Sequence, residues 1–375
     1  MRTPVPQVTQ VPAGIVALSD HEAHARTQLD DKAWAYFSGG AGDEITLRAN
    51  RSAWDGLQLH PRVLRPLLGG HTRLELLGRT LAHPILLAPV AFQRMAHADG
   101  ELATAHAAAA LGAGLVLSTQ ASTPLEDVAA AIAHEPGRGP LWFQLYFQHD
   151  RGFTRELVQR AEQAGYEALV LTVDAPASGA RDRERRAGFS VPAHAAAANL
   201  AALRPAPMPA LAPGQSAMFD ALLRQAPGWD DVQWLQSISR LPVLLKGVVH
   251  ADDARQAAAL QVAGLIVSNH GGRTLDTMPP TAALLPAIVQ AVGAQLPVLV
   301  DGGIRRGTDV LKALALGAHA VLVGRPCIWG LANAGAVGVA HVLRLLRDEL
   351  EIAMALCGCA NLAQCGPHLL WSPHK

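Results

Sequence analysis

Residues 297–325 read PVLVDGGIRRGTDVLKALALGAHAVLVGR. A short apolar run, Val298–Val300, meets a glycine turn at Asp301-Gly302-Gly303. An Ala/Leu-rich stretch with helical spacing follows over Asp309–Leu316, closed by Gly317. A second apolar run, Ala320–Val323, then ends at Gly324-Arg325. Runs that are apolar throughout, rather than alternating, suit parallel strands buried on both faces. Strand, turn, helix and returning strand together make one βαβ unit.

The same unit recurs upstream. Further strand-like runs are Ile85–Ala88, Leu115–Leu117, Leu141–Leu145, Ala168–Val173, Val243–Leu245 and Gly264–Val267. Helix candidates between them include Glu101–Leu111, Pro124–Ala133, Thr154–Ala164 and Ala251–Gln261. Gly112, Gly165, Gly264 and Gly317 stand at or shortly after helix ends, where a left-handed residue is wanted. Eight strands alternating with helices predict a closed (β/α)8 barrel rather than an open sheet. The gap between the fourth and fifth runs is about 45 residues longer than the others, which marks a lid or loop insertion. It is Ala/Pro-rich from about 190 to 228. Residues 1–80 precede the barrel and are expected to form a helical segment. Residues 81–375 hold the barrel and a closing helix that includes Val339–Leu356, so the chain reads as a single domain.

Half of the 375 residues are hydrophobic and 17% are charged, which suits a large buried core rather than a disordered chain. Lys plus Arg and Asp plus Glu number 31 each, so no broad nucleic-acid footprint is expected. Met1–Ile15 lacks the charged-then-apolar pattern of a secretory signal, and no run of consecutive apolar residues is long enough to cross a bilayer. Four cysteines make no disulfide framework, and a cytoplasmic location is the expectation. Cys357, Cys359 and Cys365 cluster without a common zinc spacing and are read as buried or helix-end thiols, with no metal site.

In such barrels the reactive groups come from the C-terminal ends of the strands. Here the ends carry Pro89-Val90-Ala91, Ser118, Gln144 and Tyr146, then Thr172 and Asp174, with Arg181 shortly after. The later ends carry Lys246, then Ser268, Asn269, His270 and Arg273, then Asp301-Gly302-Gly303-Ile304-Arg305, and finally Gly324-Arg325. Stability requires no such polar ring, so one pole reads as a binding mouth. Gly302, Gly303 and Gly324 let backbone N–H groups approach a phosphate, and Arg305 and Arg325 add charge; tight turns with surface arginines are the plainer alternative. Lys246 directly after an apolar run needs an anionic partner, such as a reduced flavin, or a depressed pKa suited to Schiff-base chemistry. His270 with Arg273 three residues on pairs a base with a carboxylate-binding fork. Arg181 is a second cation, and Asp174 is a plausible orienter of the imidazole.

These segments resemble the FMN-dependent L-2-hydroxy acid oxidase and dehydrogenase family, from about Ala35 to Leu362. The most specific are Ser268-Asn269-His270-Gly271-Gly272-Arg273-Thr274-Leu275-Asp276 and Val300-Asp301-Gly302-Gly303-Ile304-Arg305-Arg306-Gly307-Thr308-Asp309-Val310. Tyr36-Phe37-Ser38-Gly39-Gly40-Ala41, Phe143-Gln144-Leu145-Tyr146 and Leu171-Thr172-Val173-Asp174-Ala175-Pro176 also match.

The resemblance implies that an L-2-hydroxy acid is oxidised to a 2-oxo acid with FMN as cofactor. His270 would be the base, hydrogen-bonded to Asp174. Arg181, Arg273 and the Tyr36 hydroxyl would hold the substrate carboxylate, and Tyr146 its hydroxyl. FMN would lie along Pro89, Val90, Ala91, Ser118, Gln144, Thr172, Lys246 and Ser268. Lys246 would stabilise the reduced flavin. The phosphate would sit on Asp301, Gly302, Gly303 and Arg305, with Gly324 and Arg325. Gln120 stands where glycolate oxidase has Trp, which opens the side-chain preference. Ala91 agrees with oxidase members and tilts the acceptor towards dioxygen, giving hydrogen peroxide; a quinone or cytochrome acceptor is the alternative. The corresponding loop of a membrane-bound relative carries an anchor, so peripheral membrane association is the lesser expectation for localisation. A homo-oligomer, tetramer or octamer, is implied as well. A flavin-free lyase or isomerase barrel using Lys246, and a non-catalytic scaffold, are the readings from other classes.

Overall fold

The computed structural model describes residues 10–206 and 210–372. Three helices open the chain: α1 (Leu18–Gln28), α2 (Asp31–Ser38) and α3 (Ile45–Gly56). An antiparallel hairpin of β1 (Leu74–Leu76) and β2 (Arg79–Leu81) follows. The leading segment is therefore not purely helical, as the sequence pattern suggested. The reason is a packing need: Leu76 and Leu81 of the hairpin join the cluster inside the barrel and plug its lower end.

The barrel begins with β3 (Ile85–Leu87), α4 (Gly100–Leu111), β4 (Gly114–Ser118), α5 (Leu125–Ile132), β5 (Leu141–Leu145), α6 (Arg151–Gln163) and β6 (Ala168–Thr172). A short helix, α7 (Asp182–Arg186), and the insertion precede α8 (Trp229–Ile238) and β7 (Val243–Lys246). Then come α9 (Ala251–Ala259), β8 (Gly264–Val267), α10 (Thr281–Val292), β9 (Val298–Val300), α11 (Gly307–Ala315), β10 (Ala320–Val323) and α12 (Arg325–Leu356). Strands β3 to β10 pair in parallel and close as β10-β3-β4-β5-β6-β7-β8-β9. Alternate strand residues explain the unbroken apolar runs. Leu86, Val116, Trp142, Val170, Leu244, Ile266, Leu299 and Leu322 fill the interior. Their neighbours Leu87, Leu115, Phe143, Leu169, Leu245, Leu265, Val300 and Val323 pack outward with residues of the helix shell.

Three local expectations differ from the structure. Gly264 does not cap a helix: it opens β8, where a Cβ would stand 3.1 Å from Pro297 O, and Gln261 takes the left-handed position at φ 55°. Helices α8 and α10 fall outside the expected set; α8 lies just past the insertion and α10 carries Pro286 within it, which masks helical periodicity. The closing helix starts at Arg325, directly after β10, and breaks at Ala334–Gly335. Its two halves fold together where Gly330 and Gly338 touch; a Cβ on Gly330 would stand 2.5 Å from Gly338 O. α12 is long and apolar enough to span a membrane, but 72% of its most apolar window is buried in this protein, against α1, α4 and α11.

The insertion is only partly anchored. Short turns at Ala193–Ala195 and Ala198–Leu200 pack inward, and buried Asn199 accepts from Leu125 N at 2.9 Å. Residues 207–209 of the insertion lie outside the described residues, as do 1–9 and 373–375.

Two buried histidines make the fold sensitive to acid. His83 donates from Nε2 to Leu111 O (3.1 Å) and accepts Ile85 N–H on Nδ1 (3.3 Å), an arrangement that only the neutral ring satisfies. His21 of α1 pairs with His341 and accepts from Asn333 of α12. Burial pushes each down from 6.5 to about 4. The unfolded chain then binds more protons between those values. The stability these rings contribute is complete above about pH 6.5 and lost as pH falls towards 4. Denaturant unfolding at pH 7.5 and 5 should differ by about 2 kcal/mol per histidine, and His83→Asn should remove its share of that difference.

Candidate active site

The strand register puts the polar residues at one height. Ser118 is paired with Gln144 across β4 and β5, and Thr172 with Lys246 across β6 and β7. Ser118 Oγ donates to Gln144 Oε1 (3.2 Å), and Gln144 Nε2 donates to Thr172 Oγ1 (3.1 Å). Lys246 Nζ donates to Ser268 Oγ (2.9 Å) and pairs with Asp301 Oδ2 (3.2 Å). Burial opposes the charge on Lys246, but Asp301, Asp174 and Tyr146 outweigh it and hold its pKa above the usual value. The lysine is thus a fixed cation. This decides against the depressed-pKa amine that Schiff-base chemistry requires.

These groups border a cavity of about 330 Å3. Every expected site residue lines it except Asp174 and Ser268. The Ser268 hydroxyl accepts from Lys246 Nζ and from His270 N–H (3.1 Å). Asp174 lies behind His270, with Oδ1 3.0 Å from Nδ1.

His270 holds a left-handed backbone at φ 56°, unusual for a residue with a Cβ, between Asn269 and Gly271. Burial lowers its pKa, Asp174 opposes this, and Lys246 and Arg273 add to the lowering. The ring is neutral near pH 7. With Asp174 as acceptor the proton sits on Nδ1, which leaves the Nε2 lone pair free to take a proton. Burial raises the Asp174 pKa, but His270 and Lys246 outweigh it and keep the carboxyl below its ordinary value.

Arg273 donates to the carbonyls of Tyr36 and Gly39, and its guanidinium lies 4.8 Å from the Tyr36 ring centroid. Arg181 and Arg273 converge on Glu184, whose Oε1 is 3.3 Å from each. Sequence reasoning missed Glu184, because in the run Arg181-Asp182-Arg183-Glu184-Arg185-Arg186 it looks like one more solvated charge. It missed Phe189 too, which stacks on Tyr36 at 4.8 Å. Burial pushes Tyr146 up to about 12, so its phenol stays protonated. Gln120 and Tyr146 stand where the cavity joins an outer chamber of about 950 Å3, walled by Leu200, Leu222 and Trp229.

At the far end, Gly302 (φ 93°) and Gly303 (φ 86°) make a turn no other residue type would adopt easily; a Cβ on Gly303 would stand 2.4 Å from Asn50 O. Arg305 lies 4.6 Å from the Trp329 ring centroid, and burial lowers its pKa to about 10. Arg325 is spent largely on the carbonyls of Phe37, Gly39 and Gly271, at 2.8–3.1 Å. It brings charge to the cavity, with three of its N–H bonds already made.

Buried polar atoms are normally paired. Here Asp174 Oδ2, Arg181 Nε and Asp301 Oδ1 have no protein partner among the described residues. A cavity lined by a glycine turn with arginine, a buried ammonium and two convergent guanidiniums fits a phosphorylated, partly anionic cofactor beside a small carboxylic acid.

Comparison with known proteins agrees. The family model for FMN-dependent dehydrogenase matches residues 25–372. An L-lactate oxidase of Alicycliphilus denitrificans is 51% identical over 94% of this chain and 96% of its own. Glycolate oxidase 1 of Zea mays is 45% identical over 93% and 94%. Among solved structures, mandelate oxidase with benzoyl-formic acid superposes with a TM-score of 0.84 at 43% identity, covering 95% of this chain and 98% of that one.

Proposed function

The chain belongs to the FMN-dependent dehydrogenase family, and from that premise we propose that it oxidises a short L-2-hydroxy acid, lactate first among them, and passes the electrons to dioxygen with release of hydrogen peroxide. FMN-dependent oxidation of 2-hydroxy acids is the reaction of its relatives and of this chain. The observation that carries the assignment of roles is the neutral His270 ring, held by ionised Asp174, lining one cavity with two convergent guanidiniums.

FMN, when bound, supplies the two-electron acceptor. The site residues fit it: the Gly302–Gly303 turn and Arg305 would take the phosphate, Asp301 Oδ1 a ribityl hydroxyl, and Lys246 the electron-rich edge of the ring. Arg181 and Arg273 hold the substrate carboxylate, with the unpaired Arg181 Nε as one donor. The Tyr146 phenol orients the 2-hydroxyl, and His270 Nε2 takes its proton. Asp174 stabilises the imidazolium so formed. The dioxygen reading is supported by Ala91 at the end of β3 and by relatives named as oxidases. An assembly of identical subunits completes the proposal. It is supported by exposed Val63, Leu64 and Leu68, close to the C-terminal end of α12, where Ile352 and Leu356 are exposed too.

Anaerobic mixing with a panel of 2-hydroxy acids tests the reaction. Bleaching of the flavin by L-lactate, followed by peroxide on admitting air, is expected. Bleaching without peroxide would move the acceptor to a quinone or cytochrome, and no bleaching by any acid would end the proposal. The pH dependence follows from His270. Its lowered pKa keeps the base unprotonated below pH 6.5, so flavin reduction should stay level down through that value and fall only in more acidic solution.

A further inference from the structure

Helix α3 runs behind the Gly302–Gly303 turn and touches no part of the cavity, yet it claims the turn's carbonyl groups. Trp54 Nε1 donates to Gly302 O (2.7 Å) and Arg51 Nη1 to Gly303 O (2.5 Å). The preceding carbonyl, Asp301 O, is taken by Thr281 Oγ1 (2.6 Å). In a trans peptide the C=O and the following N–H point in opposite directions. Three carbonyls drawn outward therefore turn three successive N–H groups, of Gly302, Gly303 and Ile304, towards the cavity. None of these N–H groups meets a protein acceptor among the described residues. Successive N–H groups in such a turn form an anion-binding concavity.

The rest of the turn is held by the same side chain. Asp309 Oδ2 accepts from Arg305 N (2.9 Å) and Arg306 N (3.0 Å). Arg51 clasps that carboxylate with both ends of its fork, at 2.5 and 2.9 Å. The Asp309 side chain is 1% exposed, so it has no solvent to replace this partner.

We propose that Arg51, assisted by Trp54 and Asp309, is the positioning residue that orients the backbone N–H groups on the cofactor phosphate without touching it. This rests on the reading of the Gly302–Gly303 turn as the phosphate site. Arg51 fixes the direction of the Gly303 peptide and, through Asp309, the path of the chain into α11. Its loss frees the peptides to rotate, and the phosphate loses donors while the rest of the flavin keeps its contacts.

The test compares FMN with riboflavin, which lacks the phosphate, as ligands of the full-length chain freed of cofactor, read by quenching of flavin fluorescence. Arg51→Met is expected to weaken FMN by about 30-fold and riboflavin by less than about threefold, so the preference for FMN collapses. Arg51→Lys should restore part of that preference, since one ammonium can neutralise Asp309 but cannot replace the fork. Trp54→Phe, which keeps an aromatic ring of smaller size and loses the one donor, should cost FMN about tenfold and gives the same readout if the Arg51 variant does not fold. Arg305→Leu is the control for the underlying reading. If it leaves the preference for FMN intact, the phosphate lies elsewhere and the reading fails. If it removes the preference while Arg51→Met and Trp54→Phe do not, the positioning role alone is overturned.

Discussion

Replacing His270 by alanine is expected to lower the rate of flavin reduction by substrate at least about 10^3-fold while FMN stays bound. The imidazole is the neutral base facing the substrate clamp, with its other nitrogen engaged by Asp174. Alanine removes the acceptor and leaves Asp174 with Lys246 as its nearby cation. The phosphate turn and Lys246 are untouched, so the flavin spectrum should persist. His270 already bears the Cβ strain of φ 56°, so alanine adds none, but it does remove side-chain volume along with the base. His270→Asn separates the two, because asparagine keeps part of that volume and tolerates the left-handed backbone but cannot serve as the base. Both variants should be equally slow in anaerobic stopped flow. If either reduces its flavin at the parent rate, His270 is not the base.

Arg273→Met should raise the KM for substrate by about 10^2 to 10^3-fold, with a smaller loss in the limiting rate of flavin reduction. A carboxylate out of water depends on its charged partners. Methionine fills part of the volume without charge or hydrogen bonds. The change also strips the carbonyls of Tyr36 and Gly39 of a donor and leaves Glu184 with Arg181 alone. Arg273→Lys retains charge but not the fork, and should fall between the two. A KM within about threefold of the parent value in the methionine variant would show that the carboxylate binds elsewhere.

Most of the barrel was legible because each strand is apolar on both faces, a pattern written locally in residues such as Val298–Val300. The hairpin plug was not, since nothing in Leu74–Leu81 announces that a barrel end needs filling. The break in α12 was equally hidden: Gly330 and Gly338 sit within an apolar run, and only their mutual contact shows that the helix folds back. The ring of site residues was legible because barrel topology delivers every strand's C-terminal end to the same pole. For Ser268 the strand end was legible, but not the hydrogen bonds its hydroxyl accepts from Lys246 and His270 N–H.

The linear order of residues by itself determined the barrel, the chemical types at its mouth and the kinship with flavin-dependent enzymes, since hydrophobic period and motif spacing are local properties. Tertiary structure alone decided the charge states and the hidden partners. Lys246 is a fixed cation only because Asp301, Asp174 and Tyr146 surround it, and Glu184 and Arg51 act at the site only because distant segments meet there. Electrostatic energy depends on distance through space and on exclusion of water, and neither is a function of separation along the chain.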